Sequence, residues 1–378
     1  MTNILNIEEK KYMTPNKILS NYKQYLTNYE LKEISFYKNI YFFGKKCKTK
    51  KGNYFNRANN YGFDNSKHRY RFVIGDHIIY RYKIIKKLGY GSFGDVATVY
   101  DFKDKCKLAI KMIRNESRFH RQGNIEIKIL KQITENDPND KHHLIHMNEH
   151  FLFRNHLCIT FELLDINLYT KLRNNQFKGF PIETVKIYAI QILKAFKWLK
   201  EQNIIHCDLK PENIVLKSGD SNDIKIIDFG SACLNSEQIH SYIQSRFYRA
   251  PEIVLKNKYS FPIDMWSIGC ILIEFNTGKP IFPGRNEHEL LVYIIEVIGL
   301  PPFSILTDSY KKTYYYNNYS NKHLRDSKGR LRHPETRPIN RVVNSNNMSL
   351  INLITQCLEW DPIKRITPSK ALELEWLN

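Results

Sequence analysis

A short polar loop, "HCDLKPENIVL" at residues 206–216, places Asp208, Lys210 and Asn213 between two apolar ends. In phosphoryl transfer an aspartate orients the attacking hydroxyl and accepts its proton, a cation neutralises the moving phosphate, and an asparagine holds a metal ion. Asp208, Lys210 and Asn213 have the side chains for these three tasks. A polar turn after a buried strand would have a similar composition, so this loop alone does not decide between the two interpretations.

A glycine-rich stretch, "LGYGSFGDVATVY" at residues 88–100, lies between two predicted strands and contains Gly89, Gly91 and Gly94. Glycines let the backbone approach phosphates closely, and two flanking strands argue against a dinucleotide-binding fold. Lys111 follows in the strand "LAIKMI", where a charge is costly unless it has a partner. Glu126, in the helix "GNIEIKIL", is the expected partner, and the pair would position Lys111 on the phosphates of ATP.

Three further segments follow in order along the chain. Asp228 ends the apolar run of "IIDFGSAC" (226–233), as a metal-binding aspartate leaving a strand would. Glu252 lies in "SRFYRAPEIVL" (245–255), and Asp264 starts the buried helix "DMWSIGCIL" (264–272). Arg365 in "CLEWDPIKRIT" (357–367) is the expected buried partner of Glu252. Together these segments resemble the protein-kinase signature, over roughly residues 78–378.

The hydrophobic pattern predicts the elements that must position these residues. Alternating apolar residues predict strands at 78–86, 94–101 and 107–113 and two more within 144–162, and helical periodicity predicts helices at 116–134, 182–202, 264–277, 287–298 and 349–358. Thr14-Pro15 predicts a helix start, whereas residues 45–70 are expected to be a loop. The pattern predicts a small sheet-rich lobe followed by a larger helical lobe. With the resemblance to protein kinases, it implies an α+β, bilobal protein-kinase fold: a small antiparallel-sheet N-lobe with one key helix, at about 78–163, and a larger helical C-lobe, at about 164–378. Residues 1–77 precede the kinase domain, and a basic insert covers about 302–347.

Composition and charge limit the class of protein. A hydrophobic share of 42% with 13% aromatic residues excludes global disorder. The net charge is +20, and residues 1–76 hold 15 Lys and Arg against 6 Asp and Glu. This charge would suit nucleic acid, yet no zinc finger, basic zipper or RNA-recognition pattern occurs. A basic nucleic-acid binder is therefore kept only as an alternative.

The sequence shows no signal for membrane insertion or export. No apolar run approaches the roughly 20 residues of a membrane span, and the polar N-terminal sequence is not a secretory signal. We expect an intracellular, cytoplasmic protein without a membrane partner, and "KKCKTKK" (45–51) is a candidate nuclear signal. The seven cysteines are scattered, so reduced thiols are expected.

Several segments resemble one kinase family closely. "HCDLKPENIVL", "YIQSRFYRAPEIVL" and "RNESRFHRQ" (114–122) resemble the dual-specificity tyrosine-phosphorylation-regulated kinases, in the branch that holds the cyclin-dependent, mitogen-activated and splicing-factor kinases. "TPNKILSNYKQYLTNYELKEISFYKNIYFFG" is similar to the accessory region of class II of that family, and "GDHIIYRYKIIKKLG" to its homology box. The resemblance implies a Ser/Thr kinase that uses ATP and Mg²⁺ and phosphorylates its own Tyr242.

The resemblance also implies roles for individual residues around the nucleotide. Asn213 and Asp228 would hold Mg²⁺. The bulky gatekeeper would be Phe161, with Glu162 and Leu164 as the hinge strip for adenine. The residues that sandwich adenine or reach the ribose would be Leu88, Val96, Ala109, Leu216 and Asn167. An ordinary apolar core would explain the aliphatic positions equally well without the kinase motifs.

A second group of implied roles concerns Tyr242 and the substrate. Most kinases have arginine before the catalytic aspartate, but this chain has Cys207, so a phosphate on Tyr242 must find other cations. Arg246 and Arg249, four and seven residues away, are the expected partners. Substrates with proline after the acceptor and arginine two or three residues before it are expected. Glu212 and Asp165 would receive that arginine, although Thr170 stands where family members often have an acid.

Two alternatives and two minor expectations remain. A pseudokinase scaffold is disfavoured because every catalytic position is filled, and the nucleic-acid binder predicts salt-dependent binding that survives loss of Lys111. The chain is expected to be a monomer. In a kinase fold the stretches around Cys207 and Cys233 run close together, so their thiols are candidates for a disulfide.

Overall fold

The structure is a computed structural model, and it describes residues 12–219, 221–237, 242–306, 324–343 and 346–378. The chain divides into two compact units. The first contains the residues up to Lys131 together with His146–Leu163, and the second contains Gln132–Ile145 and the residues from Leu164 onward. Among the described residues, no helix has the length and apolar character needed to cross a membrane. The domain boundaries drawn at residues 77 and 163 stay a prediction.

A six-stranded antiparallel sheet is the main feature of the first unit. Its strands, in the spatial order β1-β2-β3-β4-β6-β5, are β1 (His77–Ile78), β2 (Tyr82–Tyr90), β3 (Gly94–Asp101), β4 (Cys106–Ile113), β5 (Met147–Phe153) and β6 (His156–Glu162). Alternate side chains of these strands form a buried core that includes Ile84, Val99, Ile110, Met112 and Cys158. The sheet supports the predicted antiparallel-sheet lobe, and the strands predicted at 94–101 and 107–113 are confirmed.

The strand predicted at 78–86 is wrong at both ends. Ile79 and Tyr80 have positive φ angles of 44° and 55°, so the chain turns there and β2 begins only at Tyr82. At its other end β2 continues through Gly89 and Tyr90, which pair with Val96 and Asp95 of β3. Backbone pairing thus continues into the glycine-rich stretch despite the low strand propensity of glycine. Only residues 91–93 remain as the loop.

Residues 12–76 pack as part of the first unit and contain only short helices, α1 (Pro15–Asn21), α2 (Glu30–Glu33) and α3 (Ala58–Tyr61). Thr14 caps α1 as predicted, because its hydroxyl accepts a hydrogen bond from Lys17 N at 3.3 Å. The apolar side chains of this region share a buried cluster with one residue that precedes β2: Ile18, Ile34, Ile40, Phe43 and Tyr80. The loop predicted at 45–70 is largely irregular, apart from α3.

Helix α4 (Ser117–Asn136) begins in the first unit and ends in the second, which is mostly helical. The remaining α-helices of the described residues are α5 (Leu168–Asn174), α6 (Ile182–Glu201), α7 (Pro251–Val254), α8 (Pro262–Thr277), α9 (Glu287–Ile298), α10 (Ile339–Val342), α11 (Met348–Cys357) and α12 (Pro368–Leu372). Two small antiparallel ladders pair β7 (Ile204–Ile205) with β10 (Cys233–Leu234) and β8 (Ile214–Leu216) with β9 (Ile224–Ile226). The predicted helices are confirmed, with ends shifted by about two residues at most.

Part of the predicted basic insert at 302–347 lies outside the described residues, namely 307–323 and 344–345. The described part is anchored by ion pairs. Asp326 accepts hydrogen bonds from Arg330 at 2.8 Å and Arg332 at 2.9 Å, and Arg332 also donates to Glu296 of α9 at 2.8 Å. Several of its basic side chains are therefore paired within the second unit.

Candidate active site

Lys111 and Glu126 form a buried ion pair in the first unit. Strand β4 sets Lys111 in register between Val96 of β3 and Ile159 of β6, and α4 carries Glu126. Lys111 Nζ donates to Glu126 Oε1 at 2.7 Å, and the two residues are 8% and 1% exposed. The pairing predicted from sequence is confirmed. It holds the ammonium group of Lys111 in one place, as phosphate alignment requires.

The glycines of the glycine-rich stretch have different structural roles. A Cβ at Gly94 would lie 2.3 Å from Met112 O, so the close pairing of β3 with β4 requires glycine there. A Cβ at Gly89 would meet nothing within 4 Å, and one at Gly91 would meet only Gly94 O at 4.0 Å. The fold therefore leaves open space above Gly89 and Gly91, where a phosphate can approach the backbone.

The residues assigned to adenine and ribose lie on several strands and on the segment before α5. In the first unit Val96, Ala109, Phe161 and Glu162 belong to the paired strands β3, β4 and β6, with Ala109 opposite Phe161, and Leu88 lies on β2. In the second unit the candidates are Leu164, Asn167 and Leu216.

Asn167 also has a structural task. Its side-chain oxygen accepts a hydrogen bond from Thr170 N at 2.8 Å and so caps α5. The amide nitrogen Nδ2 is then the group that could reach a ribose hydroxyl.

Both carboxylate oxygens of Asp208 are held by neighbouring groups. Lys210 Nζ donates to Asp208 Oδ2 at 2.6 Å and to Ser245 Oγ at 3.1 Å. Ser245 donates to Asp208 Oδ1 through its backbone N at 2.9 Å and its hydroxyl at 2.8 Å. The sequence analysis missed Ser245, because a serine has no distinctive pattern and its role depends on a contact with a distant loop.

Asp264 holds the backbone of residues 206–213, the candidate catalytic loop that carries Asp208. Its carboxylate accepts hydrogen bonds from His206 N at 2.9 Å and Cys207 N at 3.1 Å. Cys207 has a φ of 64°, a left-handed conformation that these bonds help to maintain. Burial raises the pKa of the Asp264 carboxyl to about 7, although the two backbone hydrogen bonds oppose the rise. Asp264 therefore supports the loop from the first turn of α8.

Asn213 and Asp228 provide oxygen ligands suited to a hard cation. Asn213 Nδ2 donates to Asp208 O at 2.9 Å, which leaves its side-chain oxygen available. Ile227 N donates to Asn213 O at 2.9 Å, so Asp228 follows directly after this link. Asp228 has a φ of 64°, and its carboxylate accepts a hydrogen bond from Gly230 N at 3.3 Å. A carboxylate and an amide oxygen are the donor types that Mg²⁺ prefers, so these residues fit that ion.

Tyr242 lies beside both arginines named from sequence, while residues 238–241, including His240 and Ser241, lie outside the described residues. The Tyr242 side chain is exposed, with the Arg249 guanidinium 4.0 Å from its ring centroid. Hydrogen bonds from Arg249 and Arg246 lower the pKa of the Tyr242 hydroxyl. Arg249 itself is buried and also bonds Gln244 O at 2.8 Å and Glu287 at 2.9 Å.

A pocket of about 610 Å³ lies in the second unit, and its lining includes two acids, Glu212 and Glu274, together with Lys210 and Tyr248. Tyr248 OH donates to Glu274 Oε2 at 2.7 Å. Glu212 Oε2 is buried and has no hydrogen-bond partner among the described residues. Asp165, the other acid assigned to substrate, is exposed and does not line this pocket.

The sequence analysis missed Glu274, although a carboxylate inside the apolar run "ILIEFN" was a usable signal. Burial raises the pKa of Glu274 to about 7, with an opposing effect from the Tyr248 hydrogen bond and a supporting one from Glu212.

Two further predicted contacts are present in the second unit. Arg365 forms a two-pronged pair with Glu252, at 2.8 Å and 3.0 Å, and both side chains are buried. The Sγ atoms of Cys207 and Cys233 lie 3.8 Å apart, because β7 pairs with β10 just before the catalytic loop. Their hydrogen bond and burial raise the pKa of Cys207, and the same bond lowers that of Cys233.

Comparison with known proteins agrees with this geometry. Residues 82–377 match the family described as protein kinase domain. The chain is 41% identical over 372 residues to dual specificity tyrosine-phosphorylation-regulated kinase 4 of Homo sapiens, covering 98% of this chain and 71% of that protein. It is 41% identical over 369 residues to kinase 2 of the same name from Drosophila melanogaster, covering 97% of this chain and 51% of that protein.

A third relative extends the likeness. The chain is 44% identical over 367 residues to the probable serine/threonine-protein kinase dyrk2 of Dictyostelium discoideum, covering 97% of this chain and 40% of that protein. The chain therefore spans between two fifths and about seven tenths of the length of these relatives. By its kinase domain and its likeness along nearly its whole length, the chain belongs to the dual-specificity tyrosine-phosphorylation-regulated kinase family.

Proposed function

We propose that this chain is an active protein kinase that transfers the γ-phosphate of ATP to Ser and Thr residues of proteins and phosphorylates its own Tyr242. The observation that carries the proposal is the arrangement of Asp208. Lys210 and Ser245 hold both of its carboxylate oxygens, and the three donor–acceptor distances lie between 2.6 and 2.9 Å. A general base held this firmly is ready to orient an acceptor hydroxyl and take its proton.

The residues of the first unit act on ATP. Lys111, fixed by Glu126, donates to the phosphates, and the backbone at Gly89 and Gly91 approaches them because no side chain intervenes. In the second unit Asn213 and Asp228 would hold Mg²⁺. That ion, when bound, neutralises the charge on the phosphate oxygens. Lys210 adds a second positive charge next to the base, where negative charge builds up during transfer.

Substrate selection is proposed from the acids and arginines near the catalytic loop. Arg249 is held against Gln244 O and Glu287, and this would shape the backbone that accepts a proline after the phosphorylated residue. An arginine before the acceptor would find Glu212, whose buried Oε2 lacks a partner among the described residues. A buried carboxylate is favourable only when it has a partner of opposite charge, so a substrate guanidinium would pair with Glu212. Exposed Asp165 would contribute less, because solvent screens it.

The remaining proposals concern the oligomeric state of the protein and its location in the cell. We propose that the chain works as a monomer in the cytoplasm. In the candidate nuclear signal "KKCKTKK", Lys45, Lys46 and Lys48 are exposed, whereas Lys50 is paired with Glu30 at 3.0 Å. No zinc-finger or RNA-recognition pattern supports the nucleic-acid alternative, whose salt-dependent binding would survive Lys111→Met.

A phosphotransfer assay tests the proposal. Wild type, Asp208→Asn and the exposed control Asp223→Asn would be incubated with radiolabelled ATP, Mg²⁺ and a peptide containing Arg-x-x-Ser-Pro. We expect Asp208→Asn to lower kcat by roughly 10²–10⁴-fold, because it removes the general base, and Asp223→Asn to match wild type. Equal and negligible transfer by all three proteins would favour the pseudokinase scaffold instead.

A further inference from the structure

Arg69 joins the region before the sheet to the glycine-rich loop. Its Nη2 donates to Gly91 O at 2.7 Å, and its Nη1 donates to Gly94 O at 3.3 Å and to the Asp95 carboxylate at 3.1 Å. The guanidinium also lies over the ring of Tyr90, 5.9 Å from its centroid. A single side chain therefore contacts both residues that flank the loop tip.

The chemistry of these contacts leaves the loop able to bind phosphate. Within the loop Gly91 N donates to Gly94 O at 2.8 Å, which closes a tight turn. Arg69 adds donors to carbonyl oxygens, and a phosphate cannot compete for those oxygens because it accepts hydrogen bonds and does not donate them. The side chain also leaves open the space above Gly89 and Gly91. Glycine loses more backbone entropy than other residues when it is ordered. Hydrogen bonds from a side chain outside the loop, here Arg69, therefore help to hold a glycine-rich loop in one conformation.

The chain around Arg69 is itself anchored at the junction between β4 and α4. Lys67 O accepts a hydrogen bond from Arg114 Nε at 3.2 Å, and His68 O accepts one from Asn115 N at 2.9 Å. Asp64 accepts from Asn115 Nδ2 at 3.1 Å. We call residues 64–71 the anchor segment.

A buried histidine secures the start of the anchor segment. His156 Nε2 lies 2.7 Å from Asp64 Oδ1, and His156 Nδ1 lies 2.7 Å from Ile113 O at the end of β4. Both His156 and Asp64 are almost fully buried. The anchor segment is thereby tied to β4, which carries Lys111, and to the start of α4, which carries Glu126.

We propose that Arg69 is a positioning residue for the nucleotide, which holds the glycine-rich loop in its phosphate-binding shape through Gly91 and Gly94. This inference rests on the proposed role of the loop in binding ATP. Arg69 acts through the loop backbone and not by touching the substrate. Through it, the region before the kinase domain contributes directly to ATP affinity, in addition to any role in tyrosine phosphorylation.

The test compares Arg69→Ala with Arg71→Ala, a matched control in which an exposed arginine two residues away is removed. The affinity for ATP with Mg²⁺ would be measured by calorimetry, and KM for ATP and for peptide by initial rates. We expect Arg69→Ala to raise both the Kd and the KM for ATP about three- to tenfold, the effect of losing a few partly exposed charge-assisted hydrogen bonds. The KM for peptide should stay unchanged, and Arg71→Ala should match wild type.

A second variant keeps the test informative if Arg69→Ala folds poorly. Arg69→Lys retains the charge, but its single ammonium lacks the planar fork that reaches both carbonyl oxygens, so an intermediate rise in KM for ATP is expected. Equal ATP affinity in all three variants and wild type would overturn the inference and leave the proposed kinase activity intact. Parallel rises in both KM values with a lowered Tm would also overturn it, because they indicate a structural role only. A wild-type protein that binds no ATP would overturn both proposals.

Discussion

Asp208 illustrates how single side chains prepare the site. Its two oxygens contact Lys210 and Ser245, and its backbone oxygen accepts from Asn213. If Asp208 is the base, as we propose, it is oriented before a substrate arrives, so little reorganisation remains for the reaction step. Ser245 links the loop of Asp208 to the segment that follows Tyr242.

Replacing Ser245 should slow catalysis without unfolding the protein. Ser245→Ala removes the hydroxyl that bonds both Asp208 and Lys210 but leaves the backbone bond. We expect kcat to fall about 10- to 100-fold, since a hydrogen bond to a charged group contributes roughly 1.5–3 kcal/mol. Ser245→Thr keeps the hydroxyl and should retain most of the activity. Steady-state rates on a Ser peptide measure the effect. Equal kcat for Ser245→Ala and wild type would contradict this role.

The neighbouring thiols of Cys207 and Cys233 should be sensitive to oxidation. Their Sγ atoms are 3.8 Å apart, and the lowered pKa of Cys233 favours the reactive thiolate. We expect a mild oxidant to form a reversible Cys207–Cys233 disulfide that lowers activity, since the bridge would pull on the residue next to Asp208. Mass spectrometry of peptides would detect the disulfide, and recovery of activity with dithiothreitol would show that it is reversible. Cys233→Ser should resist the oxidant, whereas the exposed control Cys106→Ser should respond like wild type; equal inactivation of all forms would exclude the bridge.

At the scale of elements, the segment after the catalytic loop depends on α8 and α9. Arg249 is shared among the Tyr242 ring, Gln244 O and Glu287 of α9, whereas Arg246 donates to Arg285 O at 2.5 Å. A phosphate on Tyr242 would carry about −1.5 to −2 charges and could accept bidentate bonds from these guanidinium groups. The absence of a catalytic-loop arginine, since Cys207 stands there, leaves Arg246 and Arg249 as the expected partners.

Tyr242→Phe should therefore weaken Ser/Thr phosphorylation. Arg246→Ala combined with Arg249→Ala should have the same effect even when Tyr242 is phosphorylated, because the phosphate would then lack its partners. Arg285→Ala is the control, since Arg246 contacts only its backbone oxygen and its side chain is exposed. Peptide kinetics and phosphotyrosine content would be measured on the same preparations. Together they separate loss of phosphorylation at Tyr242 from loss of the arginines that would bind the phosphate. Full activity of the doubly substituted protein would refute the assignment.

Glu274 of α8 predicts a pH dependence of substrate recognition. Its raised pKa of about 7 means that the carboxylate gains a proton, and loses its charge, as the pH falls through 7. We expect KM for a peptide with an upstream arginine to rise on acidification, while KM for the same peptide with alanine there stays nearly constant. The ratio of the two KM values isolates this effect from the titration of Asp264. Glu274→Gln should remove the pH dependence, and an unchanged dependence would show that Glu274 is not involved.

At the scale of the whole molecule, Lys111 belongs to the first unit and Asp208 to the second. The region before the sheet is bound into the first unit by buried charges. Arg154 bonds Glu33 at 2.9 Å and 3.0 Å and lies 3.6 Å from Glu30, which also contacts Lys50 and His77. Burial would raise the pKa of Glu30, but the hydrogen bond from His77 and the nearby cations lower it to about 2.

Deleting residues 1–44 should yield protein that lacks phosphotyrosine. The deletion removes Glu30 and Glu33 and leaves Arg154 buried without those partners, and breaking a buried pair costs about 3–5 kcal/mol. We expect Tyr242 modification to be intramolecular, hence independent of protein concentration, and to require residues 13–44. Cell-free synthesis followed by mass spectrometry measures it. Arg154→Met is the companion variant, which keeps the region but lowers its stability; full phosphorylation of the truncated protein would disprove the requirement.

The sequence by itself determined most of the element boundaries and most of the pairings of the site. Hydrophobic periodicity located α6, α8, α9 and α11, because a helix that packs against a core must repeat its apolar residues every three to four positions. Ordered motifs located the pair of Lys111 with Glu126 and that of Arg365 with Glu252. These predictions succeed because the helix positions and the two ion pairs depend on residue types that occur in a recognisable order along the chain.

Tertiary structure decided what depends on contacts between distant segments. Ser245 and Arg69 have ordinary neighbours in the sequence, and the apolar run around Glu274 indicates its burial but not its partner. Only folding places the three residues against Asp208, Gly91 and Tyr248. The true start of β2 likewise depends on left-handed residues at 79–80, which neither residue type favours by itself. Local sequence encodes local backbone preference and burial, whereas the partner of a hydrogen bond is set by packing over the whole unit, and it is this packing that turns the motifs into an ordered site.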